Sequence, residues 1–319
     1  MPSPAFPQLP NPTQPSMSLP KTNKQWLTHQ DQLQNLTLTT SPLPTPRPNE
    51  VLVKINTVSL NYRDTEVCMG LYNHHNTTGG TPPSLVPCSD ICGTIVLSSS
   101  PLWSVGDKVL SIFNQTHQRG QIVEEDMKSG LGLPLEGCLQ EYRVFPEEGL
   151  VRKPGYLSDE EALIITSSSD TKLQQAKTLG ADHLMNYTTT PSWDETALSL
   201  TSQLGPDIIF ENGGALTLRH SFACIKFGGL INCIGYLSGK EDAPGDRLNT
   251  NVLALLRNVT LKGILNGPKE RFEEMIAFMT EKNVKPVVDR VFKFEEAKEG
   301  LEYLFGGGHF GKVVVKVSG

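Results

Sequence analysis

The sequence predicts a two-domain protein, a β-rich barrel or sandwich followed by an α/β domain on a parallel sheet, and three observations carry the prediction. From Trp26 to about Lys153, short alternating or β-branched runs are separated by Gly, Pro, Asn and Ser, the grammar of an all-β domain. Beyond Leu163, strand-like and helix-like segments alternate, and right-handed crossovers between parallel strands turn that rhythm into a doubly wound sheet. Between them, the stretch LSDEEALIITSSSD starts as a helix and continues as a strand. A chain of 319 residues accommodates two domains of roughly 100 to 200 residues each.

Residues 1–22 read as a disordered Pro-rich arm, because seven prolines remove backbone donors and leave little to bury. The β-rich domain then spans residues 23–162, with residues 289–319 returning to it. Its strands are EVLVKINTVSL, ICGTIVL, DKVLSIF and LQEYRVF, and its polar insert from Gln115 to Leu135 has the length of a lid or binding loop. Residues 163–288 hold the parallel sheet, with strands LIIT, HLMNY, DIIFE, GLINCIG and VTLKGIL, each followed by a helical segment. The closing segments VVDRVFKF, EEAKEGLEYLF and GKVVVKV rejoin the first domain.

The seam between the domains is abrupt. Ser158 and Glu161 form an S-x-x-E capping box, which announces a helix, yet Leu163-Ile164-Ile165-Thr166 follows at once as a buried-strand pattern. A helix of about one turn is not stable alone. Neighbouring local signals normally agree, so the conflict marks a junction at Ala162 to Leu163.

Composition narrows the function classes. The formal net charge is −6 with both signs dispersed, so no basic stripe offers itself to nucleic acid or to an acidic membrane surface. No run of about 18 apolar residues could span a bilayer, and the N-terminus lacks the charged and apolar regions of a secretory signal. Six scattered cysteines suit reduced thiols, so the expected compartment is the cytoplasm.

The segments PNEVLVKINTVSLNYRD, VPCSDICGTI, VGDKV, LEGCLQEYRV, SSSDTKLQQAKTLGADHLMNY, FENGG, LINCIGYLSG and RVFKFEEAKEGLEYLFGGGHFGKVVVKV occur in that order. Together they resemble the medium-chain dehydrogenase/reductase superfamily, in its zinc-independent quinone-oxidoreductase-like branch, often named zinc-type alcohol dehydrogenase-like. The resemblance implies a GroES-like β-barrel catalytic domain and a Rossmann domain that binds NADP(H). It also implies a small-molecule substrate, a carbonyl, alcohol or activated alkene, that exchanges hydride in the cleft between them, with a step in specialised metabolite biosynthesis among the roles of such enzymes. Homodimerisation through the edge strand VTLKGIL is implied as well.

Against that family pattern, a block of roughly 50 residues is absent between Ala162 and Thr166, on the scale of one βαβ unit. It would carry the first Rossmann strand and the glycine-rich turn that meets the pyrophosphate at a helix N-terminus. The Rossmann domain is therefore expected to be truncated. Leu163 to Thr166 is expected to move to the sheet centre between HLMNY and DIIFE, leaving Ser167-Ser168-Ser169 as the phosphate-facing turn ahead of a helix capped by Ser169 or Asp170. Two alternatives accompany an active reductase. One is a non-catalytic relative acting as a binding protein, and the other is an incompletely spliced model of an active enzyme.

Candidate site residues follow. Ser167, Ser168 and Lys172 stand where an acidic residue would select NAD, and a serine turn with a lysine suits a 2′-phosphate instead. By resemblance Tyr187 stacks on the cofactor or contacts its phosphate. Gly213, Gly214 and Gly235 sit at carboxyl ends of predicted strands, where open α/β sheets bind ligands and glycine permits close backbone approach. By resemblance Asn61 lies near the nicotinamide ribose, Tyr62 serves as proton donor and Asp64 holds the loop; a phenol within hydrogen-bond reach can protonate an enolate or alkoxide. No metal is expected, since Cys88 and Cys92 lack a second pair and His74-His75 are adjacent. Cys88 is expected to pack. Gly306-Gly307-Gly308-His309-Phe310-Gly311 fits G-x-G-x-x-G but precedes a strand instead of opening a helix, so it is set aside as a dinucleotide loop.

Overall fold

A computed structural model describes residues 18–72, 82–158, 169–242 and 249–318. The seam at Ala162 to Thr166, the Ser167-Ser168 turn, His74-His75 and the first 17 residues of the Pro-rich arm lie outside the described residues.

In chain order the first part contains β1 (Thr22–Leu27), β2 (Thr37–Pro42), β3 (Glu50–Leu60), α1 (Tyr62–Cys68), β4 (Asp90–Ser98), β5 (Lys108–Ser111), α2 (Glu124–Met127), β6 (Tyr142–Pro146) and β7 (Leu150–Arg152). The second contains α3 (Asp170–Thr178), α4 (Trp193–Leu200), β8 (Ile208–Glu211), α5 (Leu218–Cys224), β9 (Leu230–Cys233), α6 (Thr250–Leu256), β10 (Thr260–Gly263) and α7 (Lys269–Lys282). The chain closes with β11 (Val288–Lys293), α8 (Ala297–Phe305) and β12 (Lys312–Lys316).

β3 is the spine of a seven-stranded sheet with path β11-β12-β3-β4-β5-β7. It pairs with β4 along one edge, while β6 and β12 share the other, at Glu50 to Lys54 and at Thr57 to Leu60. β-branched residues dominate its buried positions, and Val51, Val53, Ile55 and Val58 join the main core. The C-terminal segments therefore return to the first sheet. On α8, Ala297, Gly300, Leu301 and Leu304 recur at helical spacing and are all buried. Gly300 permits close approach, since a Cβ there would lie 3.2 Å from Leu60 Cδ1. β1 starts at Thr22, and Lys21 O accepts from Leu43 N, so the arm ends before residue 22.

The second part is thinner. β8, β9 and β10 form a parallel sheet in the order β10-β9-β8. Phe222 and Ile225 cover Ile231 on one face. On the other, Ile208 and Phe210 are 52% and 69% exposed. No residue of α6 and only Met279 of α7 is buried.

HLMNY is not a strand: residues 183–187 are irregular, and Asn186 Nδ2 instead donates to Asp170 Oδ1 at the start of α3 (2.6 Å). The expected pairing of HLMNY with Leu163 to Thr166 therefore fails on the HLMNY side. A strand exists only through its ladder, and among the described residues HLMNY has no neighbour to pair with. β8 likewise has only one strand partner among the described residues.

The insert from Gln115 to Leu135 is fastened rather than lid-like. Its His117 and Gln118 carbonyls accept from Lys269 N and Glu270 N, and Gly120 N donates to Glu270 Oε1, which satisfies orphan donors of α7.

Candidate active site

The turn from β3 into α1 places Asn61, Tyr62 and Asp64. Asn61 caps α1 in an extended conformation, and the Asp64 carboxylate accepts from Asn61 N–H (2.8 Å). The Asn61 amide is oriented at both ends: Nδ2 donates to Asp90 Oδ2 (3.0 Å), and Oδ1 accepts from Lys312 Nζ (2.7 Å). Burial pushes the Lys312 ammonium below its ordinary range, while Asp90 and Asp64 oppose that shift. Burial likewise pushes Asp64 up to about 6, against Arg63 and the Asn61 N–H bond. Arg63 lies between the rings of Tyr72 and Phe113 and donates to the carbonyls of Leu131 and Leu133. Tyr62 is partly exposed and stacks on Phe305, with centroids 6.2 Å apart.

Opposite α1 stand the loops that leave the carboxyl ends of β8 and β9. Buried Glu211, last residue of β8, accepts from Gly213 N–H, Gly214 N–H, Thr217 Oγ1 and Ser221 Oγ. The Gly213-Gly214 amides thus form a nest filled by the protein's own carboxylate, so they are not open phosphate donors. Gly214 has φ +93, and a Cβ there would lie 2.7 Å from Tyr236 Cα, so glycine is required for the two loops to touch. Gly235 N–H in turn donates to the Glu211 carbonyl.

The loops reach α1 through side chains that sequence reasoning did not single out. Tyr236 Oη donates to Glu66 Oε2 (2.6 Å), and Lys240 Nζ pairs with Glu66 Oε1 (2.9 Å) while lying 4.6 Å from the Tyr236 ring centroid. Glu66 is 5% exposed. Burial first, and then the Glu66 carboxylate, raise the Tyr236 phenol well above its ordinary value. The available signals were Glu66 one turn past Tyr62 and Tyr236 next to Gly235.

Lys172 lies in the first turn of α3, and Tyr187 follows Asn186, whose amide bonds Asp170 at the start of that helix. Ser169 Oγ caps the helix by accepting from Lys172 N–H (3.2 Å). The Lys172 ammonium is not a solvated surface charge: it is 6% exposed and donates to Gly307 O (2.7 Å), in the loop set aside as a dinucleotide motif. Burial lowers its pKa. Beside it, burial and the Lys172 charge lower His309, whose Nδ1 is buried without a hydrogen-bond partner. Tyr187 is about half exposed.

Among the described residues no group of three His, Cys, Asp or Glu could hold a metal ion, and none of the described helices is long and apolar enough to cross a membrane. Cys88 is fully buried, as packing requires, and burial raises its thiol pKa.

Residues 47–155 match the family model of the alcohol dehydrogenase GroES-like domain, and residues 162–281 match that of the zinc-binding dehydrogenases. A zinc-type alcohol dehydrogenase-like protein of Schizosaccharomyces pombe is 33% identical over 326 positions, which take in 85% of this chain and 91% of the relative. Those 326 positions outnumber the 319 residues of the chain, so the relative carries residues that this chain lacks. Among solved structures, one described as an alcohol dehydrogenase from Sinorhizobium meliloti superposes with a TM-score of 0.81 at 27% identity, covering 94% of this chain and 100% of that one. The 2-octenoyl-CoA carboxylase reductase CinF, in complex with NADP and 2-octenoyl-CoA, shares the fold, with a TM-score of 0.76 at 20% identity over 94% of this chain and 88% of its own. The chain therefore belongs to the medium-chain dehydrogenase/reductase superfamily, in its zinc-type alcohol dehydrogenase-like branch, and is an oxidoreductase of that family.

Proposed function

We propose that this chain transfers hydride between NADP(H) and a small carbonyl, alcohol or activated alkene, in the cleft between α1 and the loops after β8 and β9. One observation carries the reading: the Tyr236 to Glu66 hydrogen bond brings the carboxyl ends of the parallel strands, where such sheets bind ligands, against the helix that presents Asn61 and Tyr62. When bound, the nicotinamide supplies the hydride. The protein's part is to position the reactants and exclude water.

The residues fit a dinucleotide at both ends of the cleft. At the α3 N-terminus the buried Lys172 ammonium, anchored on Gly307 O, supplies a positive charge, and the orphaned His309 Nδ1 is a second polar group beside it. With Tyr187 they would hold the 2′-phosphate, next to Ser167 and Ser168. The nicotinamide half would lie beside the loops that Gly213, Gly214 and Gly235 let pack together, with the Asn61 amide held for its ribose by Asp90 and Lys312. A catalytic zinc has no ligand set among the described residues.

The test is titration of the purified chain with NADPH and NADH, followed by nicotinamide fluorescence. Saturable binding that prefers NADPH is expected, and Lys172→Ala should weaken it roughly 10- to 100-fold, the worth of one charge-assisted hydrogen bond of about 1.5 to 3 kcal/mol. A folded chain that binds neither nucleotide would refute the reading and favour the non-catalytic alternative, which the residues missing relative to the yeast protein support. Six free cysteines suit a cytoplasmic enzyme, and the β10 edge, which has no second strand partner among the described residues, suits a homodimer.

A further inference from the structure

Hydride transfer to or from an oxygen-bearing carbon must be matched by a proton, and the cleft holds a connected set of ionisable groups that could carry one. Tyr236 comes from the loop after β9, Glu66 from α1, and Lys240 from four residues beyond Tyr236. The phenol donates to Glu66 Oε2 at 2.6 Å, and the ammonium meets Glu66 Oε1 at 2.9 Å. Glu66 is buried, whereas the Lys240 side chain is 41% exposed. The series therefore runs from the cleft through a buried carboxylate to solvent. Among the described residues Tyr62 and Tyr72 also raise the Tyr236 phenol, and Arg63 lies against the Tyr72 ring.

We propose that Tyr236 is the catalytic acid and base of the reaction, with Glu66 and Lys240 completing a proton relay to solvent; this rests on the hydride-transfer reading above. In alcohol oxidation the substrate O–H bond breaks and its proton passes to Tyr236 Oη. The phenolic proton passes along the existing hydrogen bond to Glu66 Oε2, and the carbinol hydride goes to oxidised NADP. Glu66 then returns its proton to water beside Lys240. Reduction runs the same steps in reverse: protonated Glu66 recharges Tyr236, which protonates the alkoxide as hydride leaves NADPH. A phenol both donates and accepts, so one bonded to a carboxylate has the chemistry to pass a substrate proton on to it. Tyr62, stacked on Phe305, is then a wall of the cleft instead of its acid.

The experiment compares the parent chain with Tyr236→Phe and Glu66→Gln, using NADPH with two probes, 4-nitrobenzaldehyde and phenanthrenequinone. An alkoxide is far more basic than a hydroquinone anion, so only the aldehyde depends strongly on the relay. Expected are NADPH affinities within about threefold of the parent, kcat for the aldehyde lower by roughly 10²-fold, the usual worth of general acid catalysis, and a much smaller loss with the quinone. The pH profile should also lose one limb in both variants. Equal losses with both probes, or weakened NADPH binding with an unchanged pH profile, would reduce the trio to a structural clasp and overturn the relay. Unchanged kcat would overturn it too. A parent chain that turns over neither probe sinks the hydride reading and the relay together, whereas a working parent with fully active variants sinks the relay alone. Glu66→Gln preserves volume and one hydrogen bond, and thermal melts of both variants verify folding.

Discussion

Asp64→Asn should make the protein more stable at neutral pH, although Asp64 belongs to the turn that presents Asn61 and Tyr62. Its carboxylate is wholly buried, with one oxygen held by Asn61 N–H and the other, Oδ1, without a hydrogen-bond partner. The nearest cation is Arg63, 3.8 Å away. Burial outweighs that cation and raises the pKa from 3.8 to about 6. A raised carboxyl pKa means the folded state retains a proton that the unfolded chain has released. Stability therefore falls as pH rises between about 4 and 6, and above that window the full penalty is present. A shift of roughly two units corresponds to about 3 kcal/mol at pH 7. An Asn side chain keeps the acceptor for Asn61 N–H and carries no charge, but its amide N–H groups need partners, so a net gain of about 1 to 2 kcal/mol is expected. Urea denaturation from pH 4.5 to 8 measures it: the parent should lose stability across the window relative to the variant, and the variant should have the higher midpoint at pH 7. Parallel profiles, or a variant less stable at pH 7, would refute the claim that an ionised Asp64 is a liability.

Other consequences can be checked in the same way. Glu211→Gln replaces a carboxylate oxygen by a donor in a nest of two N–H groups and two hydroxyls, so chemical denaturation should show a loss of about 2 to 3 kcal/mol and faster amide exchange at Gly213 and Gly214. If the homodimer forms through the edge of β10, Leu261→Lys should shift sedimentation toward the monomer at micromolar concentration without altering NADPH affinity; an unchanged sedimentation coefficient would move the interface elsewhere.

Most strands and helices were legible because their signals are local. The residues 50 to 60 that form β3, the amphipathic spacing of α8 and the Ser169 cap of α3 each depend on residues within a turn or two. HLMNY shows the limit. Its composition reads as a strand, but strand formation requires a partner, and the sequence pattern itself indicated that the neighbouring block was gone. The exposed Ile208 and Phe210 carry the same lesson, since β8 formed in pattern while a covering layer is not present among the described residues.

At the site, the division falls between backbone geometry and long side chains. Asn61 and Asp64 were named by resemblance alone, although the capping box that fixes them closes within four residues, and the strand-end glycines were legible because topology places them. Lys172 could be read as solvated or as a phosphate ligand, and neither reading anticipates the carbonyl of Gly307, 135 positions away, that holds it. Glu66 and Tyr236 are 170 positions apart, so no local pattern could pair them. Yet a carboxylate one turn along the helix from a predicted active-site tyrosine was a visible candidate. In a two-part enzyme the residues that close the cleft from opposite sides are separated in sequence by construction. Those with short side chains fixed by their own turn can be named early. The acid and base that meet across the cleft emerge only when both walls are in place.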